Sequence, residues 1–182
     1  MSVIHFYDPK EEFGFCSNFY KLSRGLLIDG EMWRDTEAYF QAMKFRGSNA
    51  TPSSLSYSNI IRAADSPMKV KLLGNQRMPR GYQTSWVVNK RTDRRLLSEV
   101  IEEYKDLEID PRWNENRLVV MRRAVFAKFD MYPELATKLL ATPADTQFVE
   151  HTSRDSFWGD GGNGSGANHL GRIITEYRRL RA

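Results

Sequence analysis

Apolar positions along this 182-residue chain shift from short strand-like runs near the N-terminus to helical spacing over most of the remainder. Residues 3–7 read as a first strand. Residues 26–33 read as a hairpin, two apolar runs joined by Asp29-Gly30, the dipeptide best suited to a tight turn. Between them, 13–19 is dense in aromatics but too rich in Gly, Ser and Asn for a regular element. The hairpin leads straight into 35–47, which reads as one short helix. Asp35 is its N-cap, Glu37 places a negative charge where the helix dipole favours it, and Gly47 is its expected stop. Ala38, Ala42 and Phe45 mark an apolar face, thickened by Phe40 and Met43. Glu37, Gln41 and Lys44 fall at i, i+4 and i+7 and share a second face.

Helical spacing resumes at Leu55, Ile60, Ile61 and Ala64. A further helix starts at Ser66-Pro67 and stops at Gly74. Residues 96–107 form an amphipathic pattern, and 113–129 is the longest one, with Leu118, Met121, Ala124 and Val125 as its buried face. Pro133 opens another helix, 148–150 is strand-like, and a last helix carries Leu170, Ile173, Ile174, Tyr177 and Leu180. With no internal repeat and no linker, the expectation is one α+β domain over 1–182. It is mainly helical, with a small antiparallel sheet from the N-terminal third.

Composition narrows this little: 41% hydrophobic and 27% charged residues are those of an ordinary globular chain long enough for a real core. A net charge of +4 permits an anionic partner without requiring one. Cys16 is the only cysteine, which excludes an internal disulfide and fits a reducing compartment. Residues 1–10 lack the apolar core of a secretory signal, and no apolar run reaches membrane-spanning length. A cytoplasmic or nuclear monomer, with no membrane partner, is the expectation.

The chemistry-bearing stretches are few. Glu37, Gln41 and Lys44 read either as a surface stripe with a weak ion pair or as an acid and an amine facing one pocket. The glycine-rich 153–168 precedes a helix, and Gly159, Gly161 and Gly164 match G-x-G-x-x-G. No βαβ pattern surrounds that match, so it reads either as a surface loop or as an anion cradle. Phe157-Trp158 and Asp155 are costly residues for a mere linker. Phe13, Phe15, Phe19, Trp33, Tyr39, Trp113 and Trp158 either pack in the core or stack on a flat ligand. Basic residues crowd 77–95 (Arg77, Arg80, Lys90, Arg91, Arg94, Arg95), as a solvated loop or a phosphate-contacting one. The three histidines are isolated, so neither a metal nor a cofactor is expected.

Taken together, these segments resemble the NADAR superfamily of N-glycosidases. The resemblance is carried by 13–19 (FGFCSNF), Ile28-Asp29-Gly30 with Trp33, and Thr36-Glu37-x-Tyr39-Phe40-Gln41-Ala42-x-Lys44-Phe45. It continues through Arg112-Trp113, Met121, Ala127-Lys128-Phe129, Val149-Glu150, Asp155-x-Phe157-Trp158-Gly159 and Asn168-x-Leu170-Gly171. Cys16 stands where the pattern has a small residue such as serine, Ala38 replaces its usual histidine, and about 75–108 is an apparent insertion. The resemblance implies cleavage of the bond between ribose C1 and a nitrogen. The implied substrate is ADP-ribose on guanine, in nucleic acid or a nucleotide, or a phosphorylated ribosylamino-pyrimidine of riboflavin synthesis. The basic insertion and the glycine loop favour the first. Lys44, Glu37 and Asp155 would be catalytic, with Lys44 forming a Schiff base or acting only as a charge. Asn18, Phe19, Tyr39, Gln41, Trp113 and Trp158 would position base and sugar, and the loop with Gly159, Gly161, Asn168 and Gly171 would hold phosphate. A non-catalytic ADP-ribose reader and a nucleic-acid-binding module are the competing classes.

Overall fold

The computed structural model describes residues 2–77, 85–87 and 95–182. Arg80, Lys90, Arg91 and Arg94 of the basic run lie outside the described residues. Asp29 and Gly30 take φ angles of 55° and 76°, the left-handed pair that a two-residue hairpin turn requires. Around them β2 (Leu26–Ile28) and β3 (Glu31–Trp33) close as the expected antiparallel pair, Leu26 opposite Trp33.

Helix α1 (Thr36–Met43) follows at once, its N-terminus fixed by the Asp35 carboxylate, which accepts the Ala38 N–H at 2.8 Å. It ends four residues earlier than Gly47 suggests, with Lys44 as its C-cap. Gly47 serves packing instead: a Cβ there would run into the Asp110 side chain. α1 is central. Helices α2 (Pro52–Ala63), α3 (Pro67–Gly74) and α5 (Trp113–Met131) all pack against it, so every residue from Thr36 to Ala42 is buried. A helix covered on three sides cannot carry a solvent-facing stripe, so its polar residues must face one another or a cavity.

Between α3 and α5, α4 (Leu97–Glu103) is shorter than the 96–107 pattern; α6 (Pro133–Leu140) follows α5, and α7 (His169–Arg181) closes the chain. Leu118 and Leu180, expected in the core, are 38% and 51% exposed. Leu180 lies past the last buried turn of α7, whereas Leu118 sits on an uncovered side of α5, between the buried Trp113 and Met121. Beyond the hairpin, β1 (Val3–Phe6) pairs in parallel with β4 (Gln147–Glu150), Phe6 opposite Glu150. α7 lies on β4, and Gly171 allows this, because a Cβ there would overlap the Phe148 carbonyl. Among the described residues, no helix is long and apolar enough to cross a membrane.

Candidate active site

A helix turns about 100° per residue, so positions 37, 40, 41 and 44 run down one flank of α1. That flank floors a cavity of about 470 Å³, and Glu37, Phe40, Gln41 and Lys44 all line it. Tyr39 does not. Two residues past Glu37 it points the other way, 1% exposed, its ring edge-on to Trp33 at 5.2 Å. Its expected substrate contact is therefore corrected to a core role.

The acid and the amine are both withdrawn from water. Glu37 is 6% exposed, and its Oε1 accepts Gln41 Nε2 at 2.9 Å. Burial pushes its carboxyl up to about 7, against the Gln41 hydrogen bond, which acts downward. Lys44 is 9% exposed and donates from Nζ to the Gly74 carbonyl and to Asn75 Oδ1, both at 3.0 Å. Burial pulls its ammonium down to about 8, although the Glu37 carboxylate works in the opposite direction. Near neutral pH each group is thus available in both protonation states, as acid–base and nucleophilic chemistry requires. Among the described residues Gln41 Oε1 is buried without a hydrogen-bond partner, and Gly74 leaves room for that amide where a Cβ would collide with it.

The other walls come from distant segments. After the turn Gly14–Cys16, Asn18 and Phe19 reach the cavity, and Asn18 is held by Thr36 Oγ1, which donates to its Oδ1 at 3.0 Å. Trp113 at the start of α5 and Trp158 beyond β4 flank Phe40, with ring centroids 5.0 and 5.2 Å away. Asp155 lines the cavity too, but its Oδ1 accepts the Phe157 and Trp158 N–H groups, both at 2.8 Å, and so shapes the turn that aims Trp158. Cys16 is fully buried and its thiol is pushed up to about 12 by that burial, which leaves it a packing residue.

The glycine loop is not the phosphate cradle expected of it. Gly159, Gly161, Asn168 and Gly171 all lie outside this cavity. The loop spends its amides on itself. Asp160 Oδ1 accepts the Thr152 and Gly162 N–H groups, and the Gly161, Gly166 and Asn168 N–H groups bond to carbonyls of the same loop. Asn168 instead clamps β4, accepting the Glu150 N–H at 3.0 Å and donating to the Phe148 carbonyl at 2.9 Å.

Several cavity residues were not foreseen as site residues: Glu150 from β4, Lys71 and Asn75 from the end of α3, Arg117 from α5 and Arg154. The cations supply the positive charge that the loop was expected to provide. Helical phase does put Lys71 one turn before Asn75, but nothing in the sequence ties that turn to α1. Among the described residues, no group of three or more His, Cys, Asp or Glu could hold a metal ion.

The relatives of this chain match it over nearly all of its length. An NMR structure of YbiA from Escherichia coli superimposes with a TM-score of 0.70 at 32% identity, covering 99% of this chain and 84% of that one. The N-glycosidase YbiA of Shigella flexneri is 33% identical over 177 residues, 97% of this chain and 87% of that protein. An N-glycosidase of Nostoc punctiforme is 30% identical over 97% of this chain and 90% of its own length. A riboflavin biosynthesis protein of Vibrio vulnificus is 35% identical over 96% of this chain, which spans only 37% of that protein. The class is therefore that of the N-glycosidases, hydrolases of N-glycosyl compounds. Within that class, the family model of the NADAR domain matches residues 5–181, and the chain belongs to the NADAR domain family.

Proposed function

We propose that this enzyme hydrolyses the bond between ribose C1 and an exocyclic nitrogen, and that its substrate is ADP-ribose attached to guanine, in nucleic acid or a nucleotide. The observation that carries this reading is the placing of Glu37 and Lys44 on one flank of α1, both buried and both lining the same cavity. Lys71, Arg117 and Arg154 around that cavity suit the diphosphate, and Phe19, Phe40, Trp113 and Trp158 suit flat rings and sugar faces.

The chemistry follows from the charges. Glu37, as the acid, gives its proton to the ring oxygen as the sugar opens and the exocyclic nitrogen forms a double bond to C1. The neutral Lys44 amine adds to C1, the purine amine departs, and the sugar is held as an imine on Lys44. Water then adds to C1, returning a proton to Glu37, and collapse releases the sugar aldehyde and the free amine. In a simpler route, Glu37 activates water directly and Lys44 stays a cation.

The deciding experiment incubates the enzyme with an ADP-ribosylated guanine oligonucleotide under borohydride and follows both sugar release and protein mass. Release with a sugar adduct that disappears in Lys44→Ala is the expected result. An adduct of equal yield on Lys44→Ala defeats the imine, and tight binding without turnover defeats the hydrolase in favour of a reader. The Vibrio relative's role in riboflavin biosynthesis supports a second substrate, a phosphorylated ribosylamino-pyrimidine, which belongs in a parallel incubation. Turnover of that compound alone transfers the mechanism to it.

A further inference from the structure

We propose that Glu150 is the general acid that protonates the departing nitrogen, a catalytic role that rests on the function proposed above. Glu150 ends β4, and its backbone is fixed from three directions. It pairs in register with Phe6, its N–H donates to Asn168 Oδ1 at 3.0 Å, and its carbonyl accepts the Asp160 N–H at 2.9 Å. The side chain is half-buried and lines the cavity that Glu37 and Lys44 floor. Among the described residues it makes no hydrogen bond and no ion pair. A carboxyl so firmly positioned and so poorly partnered has no structural duty to discharge.

Burial and the charges around it make it hold a proton to higher pH than an ordinary carboxyl. Asp155 from the following turn, Glu37 from α1 and Asp160 from the glycine loop face it, while the Lys71 ammonium from α3 opposes them; Lys44 and Arg154 share the cavity. Burial first, then the carboxylates, push the Glu150 carboxyl up to about 7. The other acids of the cavity are differently placed: Asp8 is exposed and accepts the Lys10 N–H at 2.9 Å. Asp155 spends an oxygen on two backbone N–H groups, and Glu37 serves the ring oxygen and the water.

The step balances. Addition of Lys44 to C1 leaves a carbon bearing the purine nitrogen and a Lys44 nitrogen that is now cationic. Glu150 gives its proton to the purine nitrogen, the C1–N bond breaks, and the purine leaves as a neutral amine. The Glu150 carboxylate takes one proton from the Lys44 nitrogen, whose freed pair forms the protonated imine. Glu150 ends the step as the acid it began. Amine from α1 and acid from β4 thus approach the same carbon from separate elements.

The test pairs Glu150→Gln with Glu150→Ala on two substrates. With ADP-ribosylated guanine, each variant is expected to lose about 100-fold or more in turnover, the usual range for a general acid. With free ADP-ribose, whose aldehyde condenses with Lys44 without expelling a purine, Glu150→Gln should give the borohydride adduct at near wild-type yield. That yield shows that the fold and Lys44 are intact. Added formate should restore part of the turnover of Glu150→Ala, filling the vacated space with a carboxyl. Glu150→Gln turnover within about threefold of wild type, or no formate rescue, overturns the proposal while the function stands. A wild-type enzyme that releases no sugar from ADP-ribosylated guanine overturns the function and this role with it.

Discussion

Lys44 must be neutral to attack carbon, and Asn75 is the residue through which that neutrality can be removed without touching α1. Asn75 Oδ1 accepts a Lys44 Nζ proton at 3.0 Å. Asn75→Asp keeps the shape and puts a carboxylate at that distance. An amine titrating at about 8 is neutral in roughly a quarter of molecules at pH 7.5. An opposite charge so close raises a lysine by about one to three units. A one-unit rise leaves about 3% neutral and a two-unit rise about 0.3%, a loss of roughly 8- to 80-fold in reactive amine. kcat/KM of Asn75→Asp at pH 7.5 should fall by that factor, and the deficit should shrink as the pH rises toward 10. The rate of borohydride trapping should fall and recover in parallel. Stability should hold, because Asn75 caps α3 through its backbone N–H, which the substitution leaves in place. An ascending limb that stays where the wild type has it would refute the nucleophilic amine, since a Lys44 acting only as a cation gains nothing from deprotonation.

Glu37 predicts a pH-dependent gain in stability. Its folded value near 7 lies above the ordinary 4.5, so its contribution is full below pH 4.5 and lost as the pH rises through 7. Above that, the native state carries a buried charge costing up to about 3 kcal/mol, partly offset by Lys44. Glu37→Gln should therefore raise the denaturation midpoint at pH 8 by the equivalent of about 1–2 kcal/mol and have little effect at pH 5, while abolishing turnover. Equal shifts at the two pH values would contradict the burial argument. Tyr39→Phe tests the corrected placement of Tyr39 against Trp33: KM should stay within about twofold of wild type with about 1 kcal/mol of stability lost, and a tenfold rise in KM would return Tyr39 to the cavity.

Local signals were legible wherever a feature depends on neighbours in sequence. Asp29-Gly30 specified its turn, Asp35 its cap, and the spacing of Glu37, Gln41 and Lys44 the flank that floors the cavity. The same helical geometry, applied one step further, excludes Tyr39 from that flank. Features that depend on a partner far along the chain were not legible. Glu150 reads as an ordinary strand end until β1, Asn168 and Asp160 fix it beside the cavity. The glycine loop was misread because glycine composition cannot distinguish amides open to a phosphate from amides already bonded. Asp160 takes those of Gly162 and Gly166, and the Asp155 and Gly159 carbonyls take those of Gly161 and Asn168. Leu118 and Leu180 show the matching limit at helix surfaces: the apolar pattern runs past the last covered turn of α7 at Leu180 and onto an uncovered side of α5 at Leu118.

The parallel pairing of β1 with β4 joins residues 3–6 to residues 147–150, and Glu150 takes its place only once that ladder forms. During synthesis, β1 must wait until residues 147–150 have emerged before it finds its mate. Contacts of such long sequence separation form late. A chain that stops before residue 147 lacks both Glu150 and the strand that carries it, so the chamber around Glu37 and Lys44 is complete only once β4 is in place.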